Sequence, residues 1–210
     1  APEPPAPAAA DTRPDSTGPT LDLSDSPAPE AVSTAMPSVI DPALLEQAAD
    51  AAARLRTLGA VAERLTPEHE GYRVAVPTPP EDGSGITPRQ IVEALAGLEP
   101  VLVELDLGSL AITDDDAALL EGFDQIRTLN LRESAITDAG VKTLAPLPRL
   151  RTLNLYGTRI TDAALNTLRG APTLRVLYCW NTGATPTGAA NLRASNPDVT
   201  VVLSENTPWP

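Results

Sequence analysis

Residues 102–203 repeat themselves, and the period of that repeat restricts the possible folds more than any other feature of the chain. Cut before each recurrent apolar residue, the stretch gives Leu102–Gln125, Ile126–Arg149, Leu150–Thr173 and Leu174–Asp198. Three of these blocks are 24 residues long and the fourth is 25, and a closing strand is expected at Val199–Leu203. Each block opens on L-x-x-L-x-L, the alternation of a short strand with one face turned inward. Leu105 and Leu107, Leu129 and Leu131, Leu153 and Leu155, and Leu177 and Cys179 are the inward pairs. A turn and a Thr-Asp pair follow (113–114, 137–138 and 161–162), good N-cap chemistry for a helix. The apolar faces of these short helices are expected at Ala118/Leu119, Val141/Leu144, Leu165/Leu168 and Ala189/Leu192, with Pro148, Pro172 and Pro197 ahead of the next strand. A unit this short cannot bury its own apolar face, so the core must run through stacked neighbours.

This pattern resembles the leucine-rich repeat family, in the variety that reads LxxLxLxxTxITDxGLxxLxxLPxL. The resemblance covers about half of the chain, and its spacing is specific. It implies an α/β solenoid with a parallel sheet on the concave face and short helices on the convex side. Where the family usually places Asn in the ascending loop, this chain has Ser134, Thr158 and Thr182, and Leu110 in the first block. The fourth block carries Ala184-Thr185-Pro186 in place of I-T-D.

The front half divides in two. Residues 1–40 are rich in Pro, Ala, Ser and Asp and show no periodicity. We read them as an extended arm, lying on a partner or wrapping its own repeat domain. Residues 41–101 form the N-terminal cap. Asp41-Pro42 opens a helix to about Leu58, with Leu45, Ala48, Ala52 and Leu55 on one face and Gly59 ending it. Strands follow at 61–65 and 72–76, and Ile86-Thr87-Pro88 with Ile91, Leu95 and Leu98 echoes a repeat helix. Residues 72–101 therefore read as a degenerate repeat with a loop insertion, and residues 204–210 as a tail ending Pro208-Trp209-Pro210. The helix, the L-G-A-x-A-E-R-L segment and the I-T-x repeats are similar to exported modules of planctomycete-type bacteria. Those are sometimes fused to c-type cytochrome domains, but no C-x-x-C-H occurs here.

Charge and composition narrow the partners. The net charge is −13, with 16 acidic and 6 basic residues in 1–101 but 11 and 9 in 102–198. An acidic front half disfavours nucleic acid and anionic membrane surfaces. No apolar stretch is long enough for a membrane span of the chain's own. Because the sequence opens on Ala1, the expected location is periplasmic or otherwise extracytoplasmic, after signal cleavage.

Catalysis has little to work with. His69 sits in an acidic turn, Cys179 takes a core leucine's place, and Asp114-Asp115-Asp116 opens a helix, where capping accounts for it. No cofactor or metal is expected. The outward strand positions are richer. They form the columns Glu104/Thr128/Thr152/Val176, Asp106/Asn130/Asn154/Tyr178 and Gly108/Arg132/Tyr156/Trp180. The chain has six aromatic residues, and Tyr156, Tyr178 and Trp180 gather here beside Arg132. Tyr, Trp and Arg dominate binding hot spots. Arg132, Tyr156, Tyr178, Trp180, Asn130 and Asn154 are thus the candidate protein-binding residues, with Trp209 as a further anchor. The expected function is a non-catalytic scaffold, held to other subunits by the arm or the concave face. The resemblance suggests an accessory subunit of a membrane complex, respiratory or photosynthetic, docked beside its cytochrome. The alternative is a free recognition module that takes a peptide or glycan on the concave face.

Overall fold

The computed structural model describes residues 41–65, 71–77, 87–108 and 110–204. The arm at 1–40, the turn with His69, the loop 78–86 with Ile86, and Trp209 lie outside the described residues. The element order is α1 (Pro42–Thr57), β1 (Val61–Arg64), β2 (Tyr72–Ala75), α2 (Pro88–Ala94), β3 (Leu102–Asp106), α3 (Asp114–Ala118) and β4 (Thr128–Asn130). It continues with α4 (Asp138–Leu144), β5 (Thr152–Asn154), α5 (Asp162–Leu168), β6 (Val176–Tyr178), α6 (Pro186–Ser195) and β7 (Thr200–Val202). The strands form one sheet in sequence order, antiparallel only between β1 and β2. Register is in step with the repeat: Glu104, Thr128, Thr152, Val176 and Thr200 are successive partners. Neighbouring strands lie about 4.8 Å apart, whereas packed helices need about 8–10 Å, so the stack bends with the strands inside. This is an α/β leucine-rich repeat solenoid.

The core is the inward column of each strand. Leu105, Leu107, Leu129, Leu131, Leu153, Leu155, Leu177 and Cys179 are all buried, as are Val141/Leu144, Leu165/Leu168 and Ala189/Leu192. In the first block the buried pair is Ala117/Leu120, not Ala118/Leu119, and Leu119 is 38% exposed. Ala117 and Leu120 are the residues one period before Val141 and Leu144. The triple aspartate offers several helix starts, but the N-cap is Thr113, which puts Ala117 inward.

α1 starts as its sequence dictates. The Asp41 side chain accepts from the Ala43 N–H at 2.9 Å, with Pro at the first helical position, and Gly59 leaves the helix at φ 78°. Its buried face is Ala48, Ala51, Ala52 and Leu55; Leu45 is only half-buried. Arg54 donates to the Ala96 carbonyl at 2.6 Å, tying this cap helix to the chain just after α2.

The Thr-Asp pairs do more than cap their own helices. Thr137, Thr161 and Thr185 are the N-caps of α4, α5 and α6. The aspartates after Thr113, Thr137 and Thr161 reach one repeat onward. Asp114 accepts from the Thr137 N–H (2.9 Å), the Thr137 hydroxyl (2.6 Å) and the Gly140 N–H (3.0 Å). Asp138 does the same for Thr161 (2.8 and 2.7 Å) and Ala164 (3.1 Å), and Asp162 accepts from the N–H and hydroxyl of Thr185, both at 2.7 Å. Each carboxylate thus sits at the positive end of the next helix and satisfies amides that would otherwise lack partners. Pro186 stands in the aspartate's place in α6; upstream, Pro88 does so in α2, and Thr113 is served by Asp116 of its own helix instead.

Candidate binding face

The third outward column ends on the C-terminal side of the strands, and three features of the chain shape it. β3, β4 and β5 are each closed by a side chain that turns back on its own backbone. Asp106 accepts from the Gly108 N–H at 2.9 Å, Asn130 from the Arg132 N–H at 3.2 Å, and Asn154 from the Tyr156 N–H at 3.0 Å. The Asn130 amide also donates to Asp106 at 2.9 Å across the strands. Asn130 and Asn154 are 4% and 3% exposed, so these two residues of the expected site face their neighbours, not solution. Their geometry fixes where Arg132 and Tyr156 leave the sheet.

The aromatic residues come together as their column spacing implied. The Tyr156 and Trp180 rings lie 4.7 Å apart, tilted by 31°, and the Tyr178 ring meets Trp180 edge-on at 5.8 Å. Their depths differ. Tyr178 is 4% exposed, while Tyr156 and Trp180 are half-buried. Tyr178 is therefore the floor beneath Trp180, because a side chain in the middle of a bent sheet's inner face is flanked on both sides. Arg132 is exposed, and it lies over Gly108, where an added Cβ would come 2.9 Å from its side chain. Of the expected site, Arg132 is exposed and Tyr156 and Trp180 are half-buried, whereas Asn130, Asn154 and Tyr178 are buried.

Of the remaining candidates for chemistry, Cys179, Asp114 and Asp116 have structural partners. Cys179 is buried, its Sγ directed to the Val202 carbonyl at 3.7 Å, and burial pushes its thiol up to about 12. In the aspartate triplet, the Asp114 carboxylate accepts from the start of α4 and the Asp116 carboxylate from the Thr113 N–H and hydroxyl at the start of α3. Among the described residues, no helix is long and apolar enough to cross a membrane. The columns drawn from the sequence begin one residue too late to include Arg127, Arg151 and Arg175, which share the same 24-residue spacing. The period itself was the clue to that row.

No family model and no curated protein matches the chain. Solved structures do. Internalin C2 from Listeria monocytogenes is 28% identical over 56% of this chain and 50% of its own, with a TM-score of 0.44; the chain spans half the length of that protein. The actin-binding site 2 of leiomodin-1 is 21% identical over 56% of this chain and 78% of its own, with a TM-score of 0.42. The ectodomain of the receptor kinase SOBIR1 from Arabidopsis thaliana is 20% identical over 80% of this chain and 94% of its own, with a TM-score of 0.39.

Proposed function

We propose that this chain is a non-catalytic protein-binding scaffold whose partner contacts Arg132, Tyr156 and Trp180. The observation that supports it is the stacked Tyr156–Trp180 pair, half-buried, edged by an exposed arginine and mounted on strand ends that local hydrogen bonds hold still. Two aromatic rings in contact give a large contact area with little side-chain entropy to lose, and the exposed Arg132 of the same column adds a charge. The resemblance to exported modules extends this reading to an extracytoplasmic accessory subunit of a membrane electron-transfer complex, docked beside its cytochrome. The test is native purification in mild detergent, with identification of what co-migrates, for the wild type and a Tyr156→Ala/Trp180→Ala variant. Recovery of a defined set of subunits with the wild type, lost with the variant at unchanged melting temperature, supports the reading. Retention of the same subunits by the variant would sink the patch. A clean monomer from the wild type would replace the subunit with a free recognition module.

A further inference from the structure

Among the described residues the sheet has two open edges, β1 and β7. An edge strand presents backbone groups with which a further strand can pair. In β7 the Thr200 N–H donates to the Arg175 carbonyl at 2.7 Å, and the Val202 carbonyl accepts from the Cys179 N–H at 3.0 Å. Thr200 and Val202 therefore face β6, and the N–H and carbonyl of Val201, between them, face off the sheet. In β1 the Leu65 N–H donates to the Gly71 carbonyl at 2.8 Å, so Val61, Glu63 and Leu65 face β2 and Ala62 faces outward. Both outward carbonyls are occupied, and in the same way. Arg56 Nη2 of α1 donates to the Ala62 carbonyl and Arg193 Nη2 of α6 to the Val201 carbonyl, each at 2.5 Å. Each arginine stands in the last turn of the helix that precedes its edge strand. Arg169, one period before Arg193 and in a repeat whose strand is followed by another, donates instead to the side chains of Ser195 and Asn166.

A basic side chain in a last turn ordinarily serves its own helix's final carbonyls. Both of these reach across to a strand instead, although water could satisfy a carbonyl on an open edge. What the guanidinium adds is occupancy: it takes the acceptor that another strand would need. The two edges differ in what that occupancy prevents. β1 reads Val-Ala-Glu-Arg, and its own exposed Glu63 and Arg64 oppose pairing. β7 lies in the run Val199-Thr200-Val201-Val202-Leu203, β-branched at four of five positions, uncharged and free of proline. Such a run pairs readily with its own copy. A second copy also fits by symmetry. Two β7 strands set antiparallel about a two-fold axis at Val201 exchange N–H···O bonds between the two Val201 residues, and each bond uses the carbonyl that Arg193 holds.

We propose that the outer edge of β7 is a self-association surface for a second copy of this chain, two-fold and antiparallel, and that Arg193 holds it closed. The proposal is independent of the partner assigned to Arg132, Tyr156 and Trp180. The full wild-type chain is compared by sedimentation velocity, over a concentration series, with Arg193→Met, which keeps the aliphatic stem and removes the donor, and with Arg169→Met. Arg193→Met should form a dimer with a dissociation constant at least about tenfold below that of the wild type, and Arg169→Met should behave as the wild type does. Amide hydrogen exchange should place the contact: protection at Val201 should rise with the concentration of Arg193→Met, while β1 stays unchanged. Adding Thr200→Lys to Arg193→Met puts a charge on the bare edge at an exposed position and should return the chain to monomer. That rescue restores no hydrogen bond to Val201, so it separates edge pairing from a folding defect. An Arg193→Met chain that stays monomeric overturns the proposal; if its Val201 amide is newly protected, another part of the chain takes the edge. Equal association of the wild type or of Arg169→Met overturns it too, as does a dimer without added protection at Val201.

Discussion

Residues 133, 157 and 181 occupy one place in three successive repeats, and all three adopt the left-handed conformation: Glu133 at φ 57°, Gly157 at 67° and Asn181 at 54°. The turn out of each strand demands it. Glycine meets that demand without strain and asparagine at modest cost, but glutamate has no such ease. Glu133→Gly should therefore raise stability by roughly 0.5–1 kcal/mol, and Glu133→Val should lower it by about 1–2 kcal/mol, both read from urea denaturation. If the glycine variant were the less stable of the two, the turn would not be under strain. The next residue offers a second contrast. The Thr158 hydroxyl donates to the Leu155 carbonyl at 2.6 Å and that of Thr182 to Cys179 at 2.7 Å, whereas the buried Ser134 hydroxyl has no partner among the described residues. Thr158→Ala should cost about 1–2 kcal/mol, because it leaves a carbonyl unmet and a small void, and Ser134→Ala should be neutral within about 0.5 kcal/mol. Equal costs at both sites, measured in the same denaturant series, would show that the methyl and not the hydroxyl matters.

At the scale of the element, α4 and α5 are held less by their own propensity than by the carboxylate from the repeat before. Both are seven residues long, well short of what is stable alone. Removing the carboxylate in Asp138→Ala deprives Thr161 and Ala164 of three hydrogen bonds, a loss of roughly 2–3 kcal/mol. The effect should localise to α5 in amide hydrogen exchange, not to α4, where the aspartate resides. For Asp162 the consequence is a pH dependence. Hydrogen bonds from the Thr185 N–H and hydroxyl, partly opposed by desolvation, hold its carboxyl below the ordinary carboxylate range. Its contribution is therefore complete above the unfolded-state pKa and fades as pH falls through that range toward the folded value. Asp162→Asn should flatten the acid limb of the stability curve while leaving its slope near neutrality unchanged. An unaltered acid limb would remove the role. The threonine caps could be read from the sequence, since Thr before a short apolar run is a local pattern. The forward reach of each aspartate could not, because it depends on how one repeat is placed on the next. The same divide separates Tyr156 and Trp180, whose meeting follows from column spacing, from Tyr178, Asn130 and Asn154, whose burial depends on the bend of the sheet.

Among the described residues, helices and strands touch only neighbouring elements of the stack, so stability is shared between adjacent units and not pooled. The two ends are then the places where the core is most exposed to loss. At the C-terminal end, α6 and β7 are joined by Arg193, which donates to the Val201 carbonyl, and the buried Asn196 amide reaches back to the carbonyls of Ala171 and Leu174 at 3.3 and 3.4 Å. At the N-terminal end the work falls to α1, whose Ala48, Ala51, Ala52 and Leu55 are fully buried and which packs on β1 and α2. A charge in that face cannot be solvated without lifting the helix, so Ala52→Asp should release α1 as a unit. Chain neighbours should then follow in order. Amide protection should fall in α1, β1 and β2, fall less in β3, and persist in β5, β6 and β7, with the Tyr156–Trp180 pair still stacked in near-ultraviolet circular dichroism. If protection instead disappeared together from β1 to β7, the cap would be part of one all-or-none core. The quasi-linear account of this solenoid, in which the binding face is insulated from its far end, would then be wrong.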